Sequence, residues 1–243
     1  MPRPEPVAIL CGGRGTRLQE RTHAIPKPLV EIGGRPIVWH VIRIYAAHGF
    51  RRFLLLTGYK GEMIERFAVA ERWPDDVVVE CLPTGEETPT GGRVARAAGH
   101  LRDGTFALTY ADGVADVDLG AALEIHRARG AAASVTLVRP HTQWGVAALD
   151  GDRVTGFAEK PRLEQWINGG FFFIEPGALD YIGADSVLER EPLERLAADG
   201  ELAGYRHEGF WDCMDTYKDA VLLDDLWAGG RAPWKSWRDG DGE

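Results

Sequence analysis

A glycine-rich loop near the start of the chain combines residue types that suit a phosphate group. The apolar run Val7–Cys11 leads directly into Gly12-Gly13-Arg14-Gly15-Thr16-Arg17. Glycines let several backbone N–H groups face one oxyanion, and arginines add positive charge. The loop is neither a G-x-x-x-x-G-K-[ST] P-loop nor a full G-x-G-x-x-G fingerprint, because Leu18 replaces the third glycine. An ordinary strand-to-helix turn has a similar composition, so the loop alone leaves both interpretations open.

A lysine between two prolines is a second candidate for binding an anion. Pro26 and Pro28 flank Lys27, and each proline restricts the backbone next to it. The chain has five lysines against 23 arginines. Where arginine is so strongly favoured, a retained lysine is more often needed as a compact ammonium group. We therefore expect Lys27 to present a point charge from an ordered, extended segment.

Two aspartates could supply hard oxygen ligands to a divalent cation. Asp112 follows the predicted strand Phe106–Tyr110, and Asp215 begins a helix predicted to run to about Gly229. Each also has a structural interpretation, because Asp-Gly is a common turn and an aspartate before Thr216 could be a helix N-cap. A fold that brought both carboxylates together would suit Mg²⁺.

The ordered set of motifs resembles a known family. Gly12 to Leu18 followed by Pro26-Lys27-Pro28 resembles the G-G-x-G-T-R-L and P-K-P motifs of the sugar nucleotidyltransferases. Further matches are Gly91-Gly92-Arg93, Tyr110-Ala111-Asp112-Gly113, Glu159-Lys160-Pro161, Ile167-Asn168-Gly169-Gly170-Phe171-Phe172 and Phe210-Trp211-x-x-Met214-Asp215-Thr216. Within the family, the glucose-1-phosphate cytidylyltransferases are most similar, at Pro36-Ile-Val-Trp-His40, Thr90 to Arg93, Gly113 to Asp116 and Ala232-Pro-Trp-Lys235.

The resemblance implies a reaction between two anions. CTP and glucose 1-phosphate would give CDP-glucose and pyrophosphate, with Mg²⁺ as cofactor. A phosphate monoester has a second pKa of about 6, so the attacking phosphate is already largely dianionic and needs no general base. The requirement is instead for cations and oriented N–H groups that stabilise charge on the α-phosphoryl group.

The resemblance also assigns roles to individual residues. The catalytic cations are Arg17, Lys27 and Lys160. The nucleotide-binding residues are Cys11, Gly12, Gly13, Gly15, Thr16, Arg17, Thr90, Gly91, Gly92 and Arg93. The sugar-phosphate-binding residues are Tyr110, Ala111, Glu159, Lys160, Asn168 and Gly169, and the metal ligands are Asp112 and Asp215. Gly91 and Gly92 are expected to let backbone polar groups approach the edge of the nucleotide base. A surface turn with a solvated arginine is the other interpretation of Gly91, Gly92 and Arg93.

The chain departs from the family pattern at three places. Ala111 stands where the family usually has glycine, which adds a methyl group on the expected sugar path. Arg162–Trp166 replaces a glycine-rich loop, and Trp73–Pro83 is shorter than the corresponding family segment. A cytidylyl- or guanylyltransferase acting on another sugar phosphate, such as a heptose 1-phosphate, therefore remains an alternative. A non-catalytic subunit that senses sugar nucleotides is a further one, although the charged residues of the site are retained.

Composition narrows the possible partners and location. The formal net charge of -9 and the pI of about 5.3 disfavour nucleic acid and anionic membranes. No apolar run approaches the roughly 20 residues of a membrane span, and the start lacks the apolar stretch of a signal peptide, so we expect neither feature. The spacing of the three cysteines suggests neither a zinc site nor disulfides. We expect a cytoplasmic protein that binds small molecules and forms a homo-oligomer.

Periodicity predicts an α/β fold with a Rossmann-like, mostly parallel central sheet flanked by helices. Predicted strands are Val7–Cys11, Phe53–Thr57, Phe106–Tyr110, Ala133–Arg139, Gly145–Leu149, Arg153–Ala158, Gly170–Ile174 and Leu202–Arg206. Predicted helices are Arg35–His48, Leu119–Arg129 and the one beginning at Asp215. The second half is expected to be partly antiparallel and to face the sugar.

One domain is expected to span 1–243, with a nucleotide half at about 1–115, a sugar-phosphate half at about 116–230 and a tail at 231–243. Trp39, Trp211 and Trp234 are assigned to the core or an interface.

Overall fold

The computed structural model describes residues 6–15 and 24–237. Its longer strands are β1 (Val7–Cys11), β4 (Arg52–Thr57), β5 (Val78–Pro83), β6 (Phe106–Tyr110), β8 (Ala133–Val138), β9 (Val146–Asp150), β10 (Arg153–Ala158) and β13 (Leu202–Arg206). Its short strands are β2 (Glu31–Ile32), β3 (Arg35–Pro36), β7 (Gly113–Ala115), β11 (Ile167–Asn168), β12 (Phe172–Ile174) and β14 (Trp211–Cys213).

Helices flank these strands. They are α1 (Ile37–Ala47), α2 (Gly61–Ala70), α3 (Thr90–Arg96), α4 (Ala98–Leu101), α5 (Leu119–Arg129), α6 (Glu191–Ala198) and α7 (Tyr217–Ala228), with 3-10 turns at Lys27–Leu29 and Pro176–Tyr181. None of the described helices is long and apolar enough to cross a bilayer.

The central sheet has the order β11-β8-β12-β6-β1-β4-β5, and β13 also pairs with β8. Strand β1 pairs in parallel with β4 and β6, and β4 with β5, which makes this half of the sheet parallel. On the other side β12 runs antiparallel to both β6 and β8, and β11 runs antiparallel to β8. The predicted α/β class and the partly antiparallel second half are confirmed.

Alternation along β1 separates the core into two layers. Ile9 belongs to an apolar cluster with α1 and α7, whereas Ala8 belongs to a second cluster with α3 and the segment around Ile182. Such alternation follows from the period of two in a strand, which sends successive side chains to opposite faces. Because helices cover both faces, the site residues can reach solvent only at the ends of the strands.

Sequence patterns found most of these elements and missed others. Helix α5 has the predicted bounds, and α1 begins two residues later than predicted because Pro36 remains extended. Helices α2, α3 and α6 and strand β5 were not predicted. Trp234 is fully buried, and Trp39 and Trp211 pack against the same cluster, which confirms their assignment to the core.

Candidate active site

A cavity of about 420 Å³ opens at the carboxyl ends of β1 and β6. Ligands of open parallel sheets commonly bind at this edge, outside the carboxyl ends of the strands. The cavity is lined by Leu10, Cys11, Gly12, Gly13, Gly15, Lys27, Pro28, Thr88, Pro89, Thr90, Arg93, Tyr110, Ala111, Asp112 and Asp215. Most residues predicted to bind nucleotide, and both predicted metal ligands, therefore share one cavity. Thr16 and Arg17 lie outside the described residues.

The cavity lining includes an ammonium group held between two carboxylates. Lys27 Nζ lies 2.6 Å from Asp112 Oδ2 and 2.7 Å from Asp215 Oδ1. Burial alone would lower the pKa of Lys27, but the two carboxylates outweigh it and raise that pKa above its usual range. Lys27 therefore stays charged, and the two aspartates converge on one cation.

Local structure explains how these three residues meet. Lys27 begins a 3-10 turn in which the Leu29 N–H donates to the Pro26 carbonyl, so the prolines fix the lysine on an ordered arm. Asp112 lies two residues after the end of β6, and the β7–β14 ribbon pairs Gly113 with Cys213 directly after Asp112. This ribbon closes the long sequence gap between the two aspartates.

Asp215 is not a helix N-cap, so that alternative is wrong. Thr216 caps α7, where its side chain accepts from the Asp219 N–H and the Asp219 carboxylate accepts from the Thr216 N–H in return. The capping box satisfies the first turn without Asp215. The Asp215 carboxylate is left to contact Lys27.

Arg93 connects the loops around the cavity, and the alternative of a surface turn with a solvated arginine is wrong. It is only 4% exposed and lies in helix α3. Its guanidinium donates to the backbone carbonyls of Gly12, Thr57, Gly85 and Glu86 and to Thr84 Oγ1. Burial, followed by the nearby Arg96 charge, lowers the pKa of Arg93. These contacts tie the ends of β1, β4 and β5 together.

The glycines of this segment have a structural reason that differs from the one predicted. A Cβ on Gly91 would lie 2.2 Å from Ser186 Oγ, and one on Gly92 would lie 2.1 Å from the Ala184 carbonyl oxygen. Helix α3 therefore packs closely against residues 184–186, and neither glycine lines the cavity. Close approach to a base edge is not needed to explain them.

The glycine-rich loop is held by neighbours on both sides. A Cβ on Gly12 would lie 2.0 Å from Arg93 Cζ, whereas Gly13 has open space around it and Gly15 has a positive φ of 60°. Arg14 forms ion pairs with Glu86, at 2.7 Å, and with Glu87. Arg14 is thus compensated by two carboxylates rather than pointing an unpaired charge at the cavity.

A hydrogen-bonded chain extends from the cavity toward the sugar-side residues. Asn168 Nδ2 donates to Tyr110 Oη at 3.0 Å, and Tyr110 Oη donates to Glu189 Oε1 at 2.8 Å. The other Glu189 oxygen accepts from Thr90 Oγ1 at 2.7 Å. Sequence reasoning missed Glu189, because it lies in a run of charged residues that resembles an ordinary solvated helix start.

The other residues predicted to bind the sugar phosphate differ in burial and in whether they line the cavity. Ala111 is buried in the cavity wall, and Gly169 packs against Val138, where a Cβ would lie 2.7 Å from Cγ1. Glu159 and Lys160 are exposed, do not line the cavity, and lie 3.9 Å apart between their charged atoms. Lys160 has a positive φ of 48°, a conformation that costs a non-glycine residue energy.

A mostly parallel sheet with a charged cavity at the carboxyl ends of its strands is typical of enzymes that bind phosphate-containing substrates. Comparison with known proteins identifies the family. A family model described as nucleotidyl transferase matches residues 7–216, so the chain belongs to that family and is a nucleotidyltransferase.

Individual relatives show where within the family the similarity is strong. The probable glucose-1-phosphate cytidylyltransferase of Bacillus subtilis (strain 168) is 41% identical, over 94% of this chain and 98% of that one. Glucose-1-phosphate cytidylyltransferase of Salmonella typhimurium is 40% identical over the same shares of the two chains. The crystal structure of HddC from Yersinia pseudotuberculosis shares the fold with a TM-score of 0.71 at 22% identity, over 91% of this chain and 98% of that chain. The family resemblance predicted from the motifs is confirmed.

Proposed function

We propose that the protein transfers a cytidylyl group from CTP to glucose 1-phosphate and releases pyrophosphate. A phosphate oxygen of the sugar forms a bond to the α-phosphorus, and the bond from that phosphorus to the α–β bridging oxygen breaks. The observation that carries the proposal is the Lys27 ammonium between the carboxylates of Asp112 and Asp215, inside a cavity whose other wall is the glycine-rich loop.

The nucleotide and the sugar are proposed from the relatives. Cytidylyltransferases for glucose 1-phosphate match 94% of this chain, over 98% of their own length. The cavity fits the size of part of a nucleotide, since small-molecule sites are typically about 300–1,000 Å³. Thr88, Pro89, Thr90 and Arg93 line the cavity together with Tyr110, Ala111 and Asp112. We assign Thr90 and Arg93 to the nucleotide, and Tyr110 and Ala111 to the sugar phosphate.

Cationic groups supply most of the proposed catalysis. Lys27 lines the same cavity as the loop around Gly13. Its ammonium group neutralises the α-phosphate region, and the N–H groups of that loop donate to the triphosphate. By family likeness Arg17 also holds the triphosphate and Lys160 holds the sugar phosphate. Preorganised charge of this kind needs no proton transfer, because the attacking phosphate is already ionised.

The carboxylate pair fits a divalent cation. Both oxygens already contact one cationic group, and Mg²⁺ is commonly held by one or two carboxylates together with substrate phosphates. Among the described residues no three His, Cys, Asp or Glu side chains form a metal cluster, so substrate oxygens would complete the coordination. When bound, Mg²⁺ would neutralise charge that develops on the phosphoryl oxygens. Asp112 and Asp215 would hold it.

Sugar recognition is proposed for Tyr110, Asn168 and Glu159. Amide, phenol and carboxylate groups make the directional hydrogen bonds that a polyol needs. The methyl group of Ala111 narrows the cavity relative to a glycine at that position.

We further propose that the protein works in the cytoplasm as a homo-oligomer.

A panel of substrates tests the proposal. Purified protein with Mg²⁺ is incubated with each common nucleoside triphosphate and each of several hexose and heptose 1-phosphates, and pyrophosphate is measured. We expect release only when both substrates are present, and fastest release with CTP and glucose 1-phosphate. A faster heptose reaction would overturn the choice of sugar. Binding of a sugar nucleotide without any release would indicate the sensing subunit instead.

Replacement of one proposed ligand tests the metal site. Asp215→Asn keeps the shape of the side chain but removes its charge, so we expect a higher Mg²⁺ concentration for half-maximal turnover. Asp225→Asn on the exposed face of α7 is the matched control. An unchanged Mg²⁺ dependence in Asp215→Asn would remove Asp215 from the metal site.

A further inference from the structure

Glu189 is an exposed residue whose carboxylate joins two residues of the cavity lining. One of its carboxylate oxygens accepts from Tyr110 and the other from Thr90, at 2.8 and 2.7 Å. Thr90 and Tyr110 line the cavity but Glu189 does not. The carboxylate of Glu189 therefore contacts the cavity lining at these two hydroxyl groups.

Hydrogen-bond directions along this chain are fixed by chemistry. An ionised carboxylate can only accept hydrogen bonds, so the Tyr110 hydroxyl must donate the hydrogen bond that it shares with Glu189. The phenol oxygen then has only lone pairs to offer, and the Asn168 Nδ2 group donates to it at 3.0 Å. An ordinary phenol is protonated at neutral pH, so Tyr110 keeps the hydrogen atom that it donates to Glu189.

The opposite end of the Asn168 amide is fixed as well. Its Oδ1 accepts from the Gly170 N–H at 2.8 Å, and Gly170 has a positive φ of 77° that holds this turn. With Nδ2 committed to Tyr110 and Oδ1 to Gly170, the amide has one orientation. It leaves one Nδ2 proton and the remaining lone pairs to a ligand.

We propose that Glu189 is a positioning residue that orients Asn168 for the sugar through the Tyr110 hydroxyl. The proposal extends the proposed function, because it takes the partner of Asn168 to be the sugar hydroxyls. Thr90 donates to the second oxygen of the same carboxylate. It ties helix α3 to the segment before α6 through the Leu188 N–H, which donates to Thr90 Oγ1 at 2.9 Å.

A spectroscopic test follows from the composition, because Asn168 is the single asparagine of the chain. Protein labelled with ¹⁵N at asparagine side chains gives one NH₂ pair of signals, and these report the Asn168 amide without any need for activity. We expect Glu189→Ala and Tyr110→Phe each to move this pair. The double variant should place it where Tyr110→Phe alone does. Glu194→Ala, an exposed glutamate on α6, is the matched control and should leave it in place.

Kinetics of the same variants test the consequence for the sugar. Glu189→Ala should raise KM for the sugar 1-phosphate about tenfold, the usual scale for a lost hydrogen bond to a charged group. Glu189→Gln should recover most of that loss, because its amide oxygen still accepts from Tyr110. In the Tyr110→Phe background, Glu189→Ala should have no further effect on this KM, whereas in the Thr90→Val background the effect should persist.

The two measurements separate this proposal from the proposed function. Unmoved Asn168 signals in Glu189→Ala would overturn the positioning role, and so would moved signals with an unchanged KM for the sugar. Additive effects of Glu189→Ala and Tyr110→Phe would overturn it as well. Absence of pyrophosphate release from the unaltered protein would overturn the proposed function, and the signals would still decide whether Glu189 orients Asn168.

Discussion

Lys27 shows how one side chain can serve two electrostatic purposes. Its ammonium group neutralises two carboxylates that would otherwise repel each other across a partly buried site. Removing one partner of such a buried cluster leaves an uncompensated charge, which costs more than the pair itself contributes. Under the proposed function, the same ammonium group would also neutralise the α-phosphate of the bound triphosphate.

Lys27→Ala should therefore lose activity strongly. Loss of a preorganised charge at a phosphoryl group commonly costs about 10²-fold or more in kcat. Steady-state pyrophosphate release measures this, with Lys218→Ala on the exposed face of α7 as the control. Unchanged turnover in a folded Lys27→Ala protein would contradict the assignment.

At the scale of elements, short segments decide where the chemistry lies. The β7–β14 ribbon brings Asp215 beside Asp112, and helix α3 brings Arg93 under the glycine-rich loop. Neither contact has a local sequence pattern, since both join residues more than 80 positions apart. This explains why the sequence predicted the participating residues from family likeness but not the bracing role of Arg93 or the place of Glu189.

Strands and longer helices were predictable for a different reason. The periodicity of Leu119–Arg129 and the apolar run Val7–Cys11 reflect which faces are buried, and burial leaves a local signal. Helix α3 begins Thr-Gly-Gly, and glycine disfavours helices, so tertiary packing against residues 184–186 overrides propensity there.

Packing of α3 can be tested with a glycine pair. Gly91→Ala would place a Cβ 2.7 Å from the Ser186 carbonyl oxygen, and we expect a loss of about 1–3 kcal/mol in the free energy of unfolding. Gly99→Ala in the neighbouring α4 meets no atom within 4 Å and should be neutral or slightly stabilising. Urea unfolding measures both. Equal stability of the two variants would contradict the close approach of α3 to residues 184–186.

At the scale of the whole molecule, Trp234 and Trp237 fix residues 231–237 to the core. Trp234 is fully buried and stacks with Phe210 and Trp227, and its Nε1–H donates to His40 Nδ1 at 3.3 Å. His40 Nε2 lies 2.9 Å from the Ile32 carbonyl oxygen, so it is the protonated nitrogen of a neutral ring. The described part of the predicted tail thus packs against the layer formed by α1 and α7.

Acid should weaken the fold through His40. Burial lowers the pKa of His40 from 6.5 to about 4. Its folded form stays neutral while the unfolded form binds a proton below pH 6.5, so this contribution to stability is present above that pH and falls as the pH drops toward 4. Between pH 7 and pH 5 we expect a loss of about 2 kcal/mol from this group. Urea unfolding should show a smaller loss in His40→Gln, and an equal loss in both proteins would contradict the buried neutral ring.

The fate of the α-phosphorus of CTP distinguishes transfer to the sugar phosphate from any other reaction in the cavity. With CTP radiolabelled at that phosphorus, glucose 1-phosphate and Mg²⁺, we expect the label to enter a nucleoside diphosphate sugar in step with pyrophosphate release, and Lys27→Ala to slow both together. Label that instead appeared in free CMP, or that left CTP without any sugar phosphate present, would contradict a transfer between two anions at Lys27.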